Sequence, residues 1–187
     1  MWPRQLGVQR KQALEWCMAE RYVVFSHGKE SGPWGAKISA MAEIARSEGF
    51  EPESVDYQGI EDPDDRVTRL LSFCKDLRGS LVLVGSSMGG HVSTAAAALL
   101  QARGMFLLAP AFYMPGHEGI TPKPPKIPIT IVHGWKDDIV PVEHSIRFAK
   151  QYGATLHIVD ADHRMQDNIA QINYLFEYFL VTLEKFL

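Results

Sequence analysis

Short apolar runs of strand length alternate along the chain with longer stretches of helical period. Tyr22-Val23-Val24-Phe25, Leu81-Val82-Leu83-Val84, Met105-Phe106-Leu107-Leu108, Ile129-Thr130-Ile131-Val132 and Thr155-Leu156-His157-Ile158-Val159 are rich in β-branched and aromatic residues. They read as buried strands, with Glu53-Ser54-Val55-Asp56-Tyr57 as a weaker one. Strands are therefore expected at about 22–26, 53–57, 80–84, 105–109, 129–133 and 155–159. Between them, Ile38, Met41, Ala42, Ile44 and Ala45 have the spacing of an amphipathic helix that stops near Gly49. Asp62-Pro63-Asp64-Asp65 supplies an N-cap, a first-turn proline and carboxylates where a helix dipole favours them. An Ala-rich helix is expected over 92–100, and a long closing helix over 166–187, where Ile169, Ile172, Leu175, Phe176, Phe179, Leu180 and Leu183 recur at helical spacing. Residues 1–19 read as a short extra helix at the start of one domain covering 1–187.

Strands alternating with helices imply right-handed βαβ units, and so an α/β fold with a parallel sheet covered on both faces. Ligands of such sheets bind at the carboxyl ends of the strands, so each strand exit is a place to look for chemistry. Composition narrows the field further. The 187 residues are 46% hydrophobic and 22% charged, enough apolar material for a core without disulfides or structural metal. No apolar run reaches the ~18 residues of a membrane span. With 19 Lys and Arg against 22 Asp and Glu, no basic field favours nucleic acid. Cys17 and Cys74 form neither a disulfide framework nor a zinc pattern, and no secretion signal is readable at the N-terminus, so a cytoplasmic location is expected.

Three strand exits carry candidate chemistry. The third expected strand runs into Gly85-Ser86-Ser87-Met88-Gly89, a G-x-S-x-G between a buried strand and a helix. Glycines flanking the serine let neighbouring backbone pass close, which would lift the Ser87 hydroxyl above the sheet. A serine nucleophile needs a base and an acid that orients it. The fifth strand exits as His133-Gly134-Trp135-Lys136-Asp137-Asp138-Ile139-Val140-Pro141 and the sixth as Asp160-Ala161-Asp162-His163. Ser87, Asp137 and His163 thus occur in the order nucleophile, acid, base.

With Ser26-His27-Gly28 at the first exit, these segments resemble the α/β-hydrolase superfamily from about Tyr22 onward, and within it the small lid-free branch near dienelactone hydrolases, carboxylesterases and acyl thioesterases. Dienelactone hydrolases use a cysteine nucleophile where this chain has Ser87. The resemblance implies a six-stranded sheet in the order 2-1-3-4-5-6 without a cap domain, and a catalytic triad of Ser87, Asp137 and His163, with Asp138 as the alternative acid. It further implies an oxyanion hole made by the backbone N–H groups of Met88 and Lys29. Superfamily lids are inserted where this chain has residues 111–128, and Pro115, Pro122, Pro124, Pro125 and Pro128 there predict an irregular loop and an open site. Trp34, Phe112, Tyr113, Met114, Trp135, Ile139 and Met165 are candidate walls for it.

The activity expected is serine-dependent hydrolysis of a small carboxylic ester or thioester, with no cofactor and no metal. Of the histidines, His27 and His133 are expected in structural hydrogen bonds, and His91, His117, His144 and His157 at the surface or in packing. Gly28, Gly32 and Gly35 have the wrong spacing for a dinucleotide fingerprint, and Lys37 lies in no phosphate loop. The partners expected are a small-molecule substrate and at most a second copy of the chain as a homodimer, not nucleic acid or membrane. Two other readings share these residues: a hydrolase-fold interaction module without useful turnover, which Trp2, Leu6, Leu14, Trp16 and Met18 could serve, and a lid-free peptidase or C–C bond hydrolase.

Overall fold

The computed structural model describes residues 20–116 and 118–184. The helix expected over 1–19, Cys17 and His117 lie outside the described residues. Six strands, β1 (Arg21–Ser26), β2 (Glu51–Val55), β3 (Ser80–Ser86), β4 (Gly104–Leu108), β5 (Ile129–Gly134) and β6 (Thr155–Val159), form one sheet in the order β2-β1-β3-β4-β5-β6. Every neighbouring pair is parallel. Among the described residues five α-helices connect and close it: α1 (Ala36–Ser47), α2 (Pro63–Cys74), α3 (Met88–Ala96), α4 (Val142–Tyr152) and α5 (Ile169–Glu184).

Alternating side chains divide the strands between two cores. Val23, Phe25, Val82, Val84, Phe106 and Leu108 pack with Ile38 and Met41 of α1 and with Ile172, Phe176 and Leu180 of α5. Val24, Leu81, Leu83, Met105 and Leu107 face the other way, onto Leu70 of α2, Val92 of α3 and Phe148 of α4. The two sides are covered by different helices, which is why the inner strands are apolar at nearly every position.

Several elements depart from the expected boundaries: the third strand runs on to Ser86, and the closing helix begins at Ile169, after a 3₁₀ turn over Gln166–Asn168, rather than at 166. The second strand covers Glu51–Val55 rather than 53–57. It lies at the sheet edge, where Pro52 is tolerated, and the Tyr57 N–H leaves the strand to donate to His27 Nε2 at 3.0 Å. The third helix covers Met88–Ala96 rather than 92–100, so Gly89 and Gly90 are helical instead of forming a turn. Packing requires a glycine here: a Cβ on Gly89 would lie 2.0 Å from the Ser26 carbonyl oxygen. The helix can cross β1 at that distance only without side chains.

The Asp62 carboxylate caps α2 as its sequence indicates, accepting from the Asp64 and Asp65 N–H groups at 2.8 and 3.1 Å. Between β4 and β5 the described residues hold only a 3₁₀ turn at Glu118–Ile120. Among the described residues no helix is long and apolar enough to cross a membrane, and no cluster of three His, Cys, Asp or Glu side chains is placed to hold a metal ion.

Candidate active site

Ser87 stands between the end of β3 and the start of α3 with φ 54° and ψ −119°. A non-glycine residue at positive φ with this ψ is strained, and such strain persists only where surrounding structure holds it. Here the Ser87 N–H donates to the Leu108 carbonyl at 2.9 Å, while the Ser87 carbonyl accepts from the Gly90 and Ala111 N–H groups at 2.9 and 3.0 Å. A Cβ on Gly85 would lie 2.4 Å from the Gly89 carbonyl oxygen. The glycines therefore let the chain turn tightly enough to present the serine.

His163, after β6, places Nδ1 2.7 Å from Asp137 Oδ2. Asp137, after β5, has no side-chain exposure. Burial alone would raise its pKa, but hydrogen bonds from His133 and His163, then from the Val140 and Ile139 N–H groups, outweigh it and hold the carboxyl well below the usual carboxylate range. Oδ1 accepts the two amides at 2.8 and 2.9 Å. An ionised carboxylate only accepts, so His163 carries its proton on Nδ1 and leaves Nε2 for proton exchange. Asp138 is exposed and makes no such contact with His163.

His133 adds a layer that the spacing of motifs does not show. Its Nε2 lies 3.1 Å from Asp137 Oδ2 and 2.9 Å from the Val140 carbonyl, both acceptors, so the proton is on Nε2. Nδ1 then accepts from the Ser145 hydroxyl at 2.7 Å. This fully buried ring holds Asp137 from behind while His163 meets it from the cavity side.

The loop after β1 approaches Ser87 closely, since a Cβ on Gly28 would come within 3.4 Å of the Ser87 Cβ. Its orientation is set from behind. His27 Nδ1–H donates to the Gly28 carbonyl at 2.7 Å, and the buried Arg66 of α2 reaches the His27 and Gly28 carbonyls through Nη1 at 3.3 and 3.4 Å. Arg66 Nε also donates to the Ile60 carbonyl at 2.7 Å. In a trans peptide C=O and N–H point in opposite directions, so anchoring the Gly28 carbonyl turns the Lys29 N–H away from His27 and Arg66. Met88 is the first residue of α3, and its N–H belongs to the turn that has no intrahelical acceptor. The Lys29 side chain points into solvent near Glu61, at 3.5 Å.

One cavity of about 930 Å³ is bordered by Ser87, His163, Gly28, Lys29 and Met88. Of the expected walls, Met114 and Ile139 border it. Trp34, Phe112, Tyr113, Trp135 and Met165 do not. Phe112 stacks on Phe148 at 4.1 Å beneath the sheet, and Met165 is 1% exposed in the core formed with α5. The Tyr113 ring lies under the Arg147 guanidinium at 3.9 Å, while Trp34 and Trp135 are exposed away from the cavity. Loop aromatics here complete the core more than they shape the site. His91 and Lys37 border the cavity although neither was expected there. Their signal was position: His91 lies one turn past Ser87, and Lys37 opens the helix that follows the Gly28 loop.

The sequence model of the alpha/beta hydrolase family matches residues 23–178. The chain belongs to that family. Within it, the mitochondrial palmitoyl-protein thioesterase ABHD10 of Bos taurus is 25% identical over 206 aligned positions, covering 78% of this chain and 67% of that protein. The alpha/beta superfamily protein XCC1541 of Xanthomonas campestris pv. campestris superimposes with a TM-score of 0.81 at 28% identity, over 88% of this hydrolase-family chain and 99% of its own. XC6422 of Xanthomonas campestris, a serine hydrolase without a lid, superimposes with a TM-score of 0.71 at 19% identity, over 88% and 82% of the two chains.

Proposed function

We propose that the protein is a serine hydrolase that cleaves a small carboxylic ester or thioester through an acyl-enzyme on Ser87. The observation that carries this reading is the positive φ of Ser87 at the strand-to-helix turn, on the cavity that His163 also borders. In this mechanism His163 Nε2 takes the Ser87 proton as the hydroxyl attacks the carbonyl, and Asp137 holds the ring and stabilises its charged form. The Met88 and Lys29 N–H groups receive the oxyanion. His163 then protonates the leaving group, and water hydrolyses the acyl-serine by the same steps in reverse order. Membership of the hydrolase family supports the reaction type, and the likeness to a thioesterase supports thioesters among the substrates. Met114, Ile139 and Ile120 on the cavity wall suit a compact apolar acyl or aryl group.

Labelling with a fluorophosphonate probe, together with hydrolysis of short-chain p-nitrophenyl esters and acyl thioesters, tests the reading. Both signals are expected in the wild type and both should vanish in Ser87→Ala. A folded wild type that is neither labelled nor active would refute the assignment.

A further inference from the structure

We propose that Lys37 forms a cationic subsite in the Ser87 cavity that receives a carboxylate or phosphate group carried by the substrate at a distance from its scissile carbonyl. The proposal rests on the reading of the cavity as a substrate site. Lys37 borders this cavity along with Ser87 and His163 and is half-buried. Among the described residues it has no carboxylate within 4 Å, in contrast to Lys29 and Lys136, which pair with Glu61 and Asp160. The two carboxylates whose fields reach it are Asp162 and Asp137. Both are already engaged: Asp162 Oδ1 accepts the Met165 N–H at 2.8 Å, and both Asp137 oxygens accept hydrogen bonds from the acid loop and the two histidines.

Its place in the fold is also unfavourable to a cation. Lys37 is in the first turn of α1, where the helix dipole disfavours positive charge, and no acidic residue in that turn offsets it. Burial lowers its pKa from the ordinary lysine value, with Asp162 and Asp137 acting in the opposite direction. A partly desolvated lysine with no carboxylate in ion-pair contact among the described residues, set against a helix dipole on the wall of the cavity, carries a cost that Asp162 and Asp137 offset only from beyond 4 Å. An incoming anion supplies the missing counter-ion and gains from the same dipole. The Lys29 side chain cannot substitute, since it faces solvent beside Glu61.

Binding to the Ser87→Ala protein tests this without requiring turnover. Calorimetry would compare p-nitrophenyl butyrate with mono-p-nitrophenyl adipate, and methyl 4-acetoxybenzoate with 4-acetoxybenzoate, so that the charge lies on the acyl side in one pair and on the leaving side in the other. In at least one pair the anionic ester is expected to bind about tenfold or more tightly, the scale of one charge-assisted hydrogen bond. That preference should disappear when Lys37→Met is added and persist with Lys37→Arg. Equal binding within both pairs, or a preference that survives Lys37→Met, would overturn the subsite. Wild-type protein that fails to label at Ser87 while keeping the Lys37-dependent preference would instead refute the hydrolase mechanism and leave the subsite standing.

Discussion

Replacing Arg66 by methionine removes the group that holds the Gly28 loop from behind. Three carbonyls lose a donor: Ile60 at 2.7 Å, His27 at 3.3 Å and Gly28 at 3.4 Å. Gly28 keeps the His27 Nδ1–H at 2.7 Å, so only the Ile60 and His27 carbonyls are left without a side-chain donor. At ~1–3 kcal/mol for each buried orphan, reduced because a guanidinium no longer has to be desolvated, the variant should lose about 2–4 kcal/mol of stability. A domain with a typical ~5–15 kcal/mol in hand stays folded after that loss, so activity can be measured. Removing an oxyanion donor outright costs ~10²–10³ in kcat, whereas here the Lys29 amide is loosened and still anchored by His27, so a fall of about tenfold is expected. In the proposed mechanism that amide acts on the developing charge, so the loss should appear in kcat with KM little changed. Urea unfolding and steady-state hydrolysis of p-nitrophenyl acetate give both quantities. A stable Arg66→Met variant with wild-type kcat, or one affected only in KM, would refute the positioning role.

Gly89→Ala puts a Cβ 2.0 Å from the Ser26 carbonyl oxygen, so the elbow must move and ~1–3 kcal/mol or more of stability should be lost together with probe labelling; Gly119→Ala, whose Cβ meets nothing within 4 Å, should melt within about 0.5 kcal/mol of wild type. The acid limb of stability should depend on Asp137. Its folded pKa is depressed, so its contribution is complete above the unfolded value of ~4 and is lost as pH falls from there toward the lower folded value. Urea midpoints measured from about pH 6 down to about pH 2.5 should therefore fall less steeply in Asp137→Asn than in wild type, and parallel curves would contradict the assignment.

The alternation of strands and helices, the two-sided core and the cap of α2 were legible because they follow from short-range rules, whereas the strand order came from the resemblance to the α/β-hydrolase superfamily. Buried parallel strands are apolar on both faces, so Leu81-Val82-Leu83-Val84 and Met105-Phe106-Leu107-Leu108 announce themselves, and Asp62 followed by Pro63 marks a helix start wherever it occurs. The boundaries that shifted were those at which distant backbone intervenes. Gly89 and Gly90 have turn composition, yet they lie in the first turn of a helix, where the closeness of the Ser26 carbonyl leaves Gly89 no room for a side chain.

Ser87, Asp137 and His163 could be nominated from sequence because each lies at a strand exit within a short motif, and a parallel sheet brings all such exits to one end. The amino-acid order by itself determined the α/β class, a parallel sheet and these nominations. Only tertiary structure decided which neighbours press on them: that His133, itself bonded to Ser145, holds Asp137 from behind, that Arg66 fastens the Gly28 carbonyl, that Phe112 and Met165 fill the core and not the cavity, and that Lys37 lies on the cavity with no carboxylate of the described residues within 4 Å. Periodicity and motif spacing are properties of local chain geometry. Burial, hydrogen-bond partners and counter-ions depend on which surfaces meet after the helices fold back over the sheet.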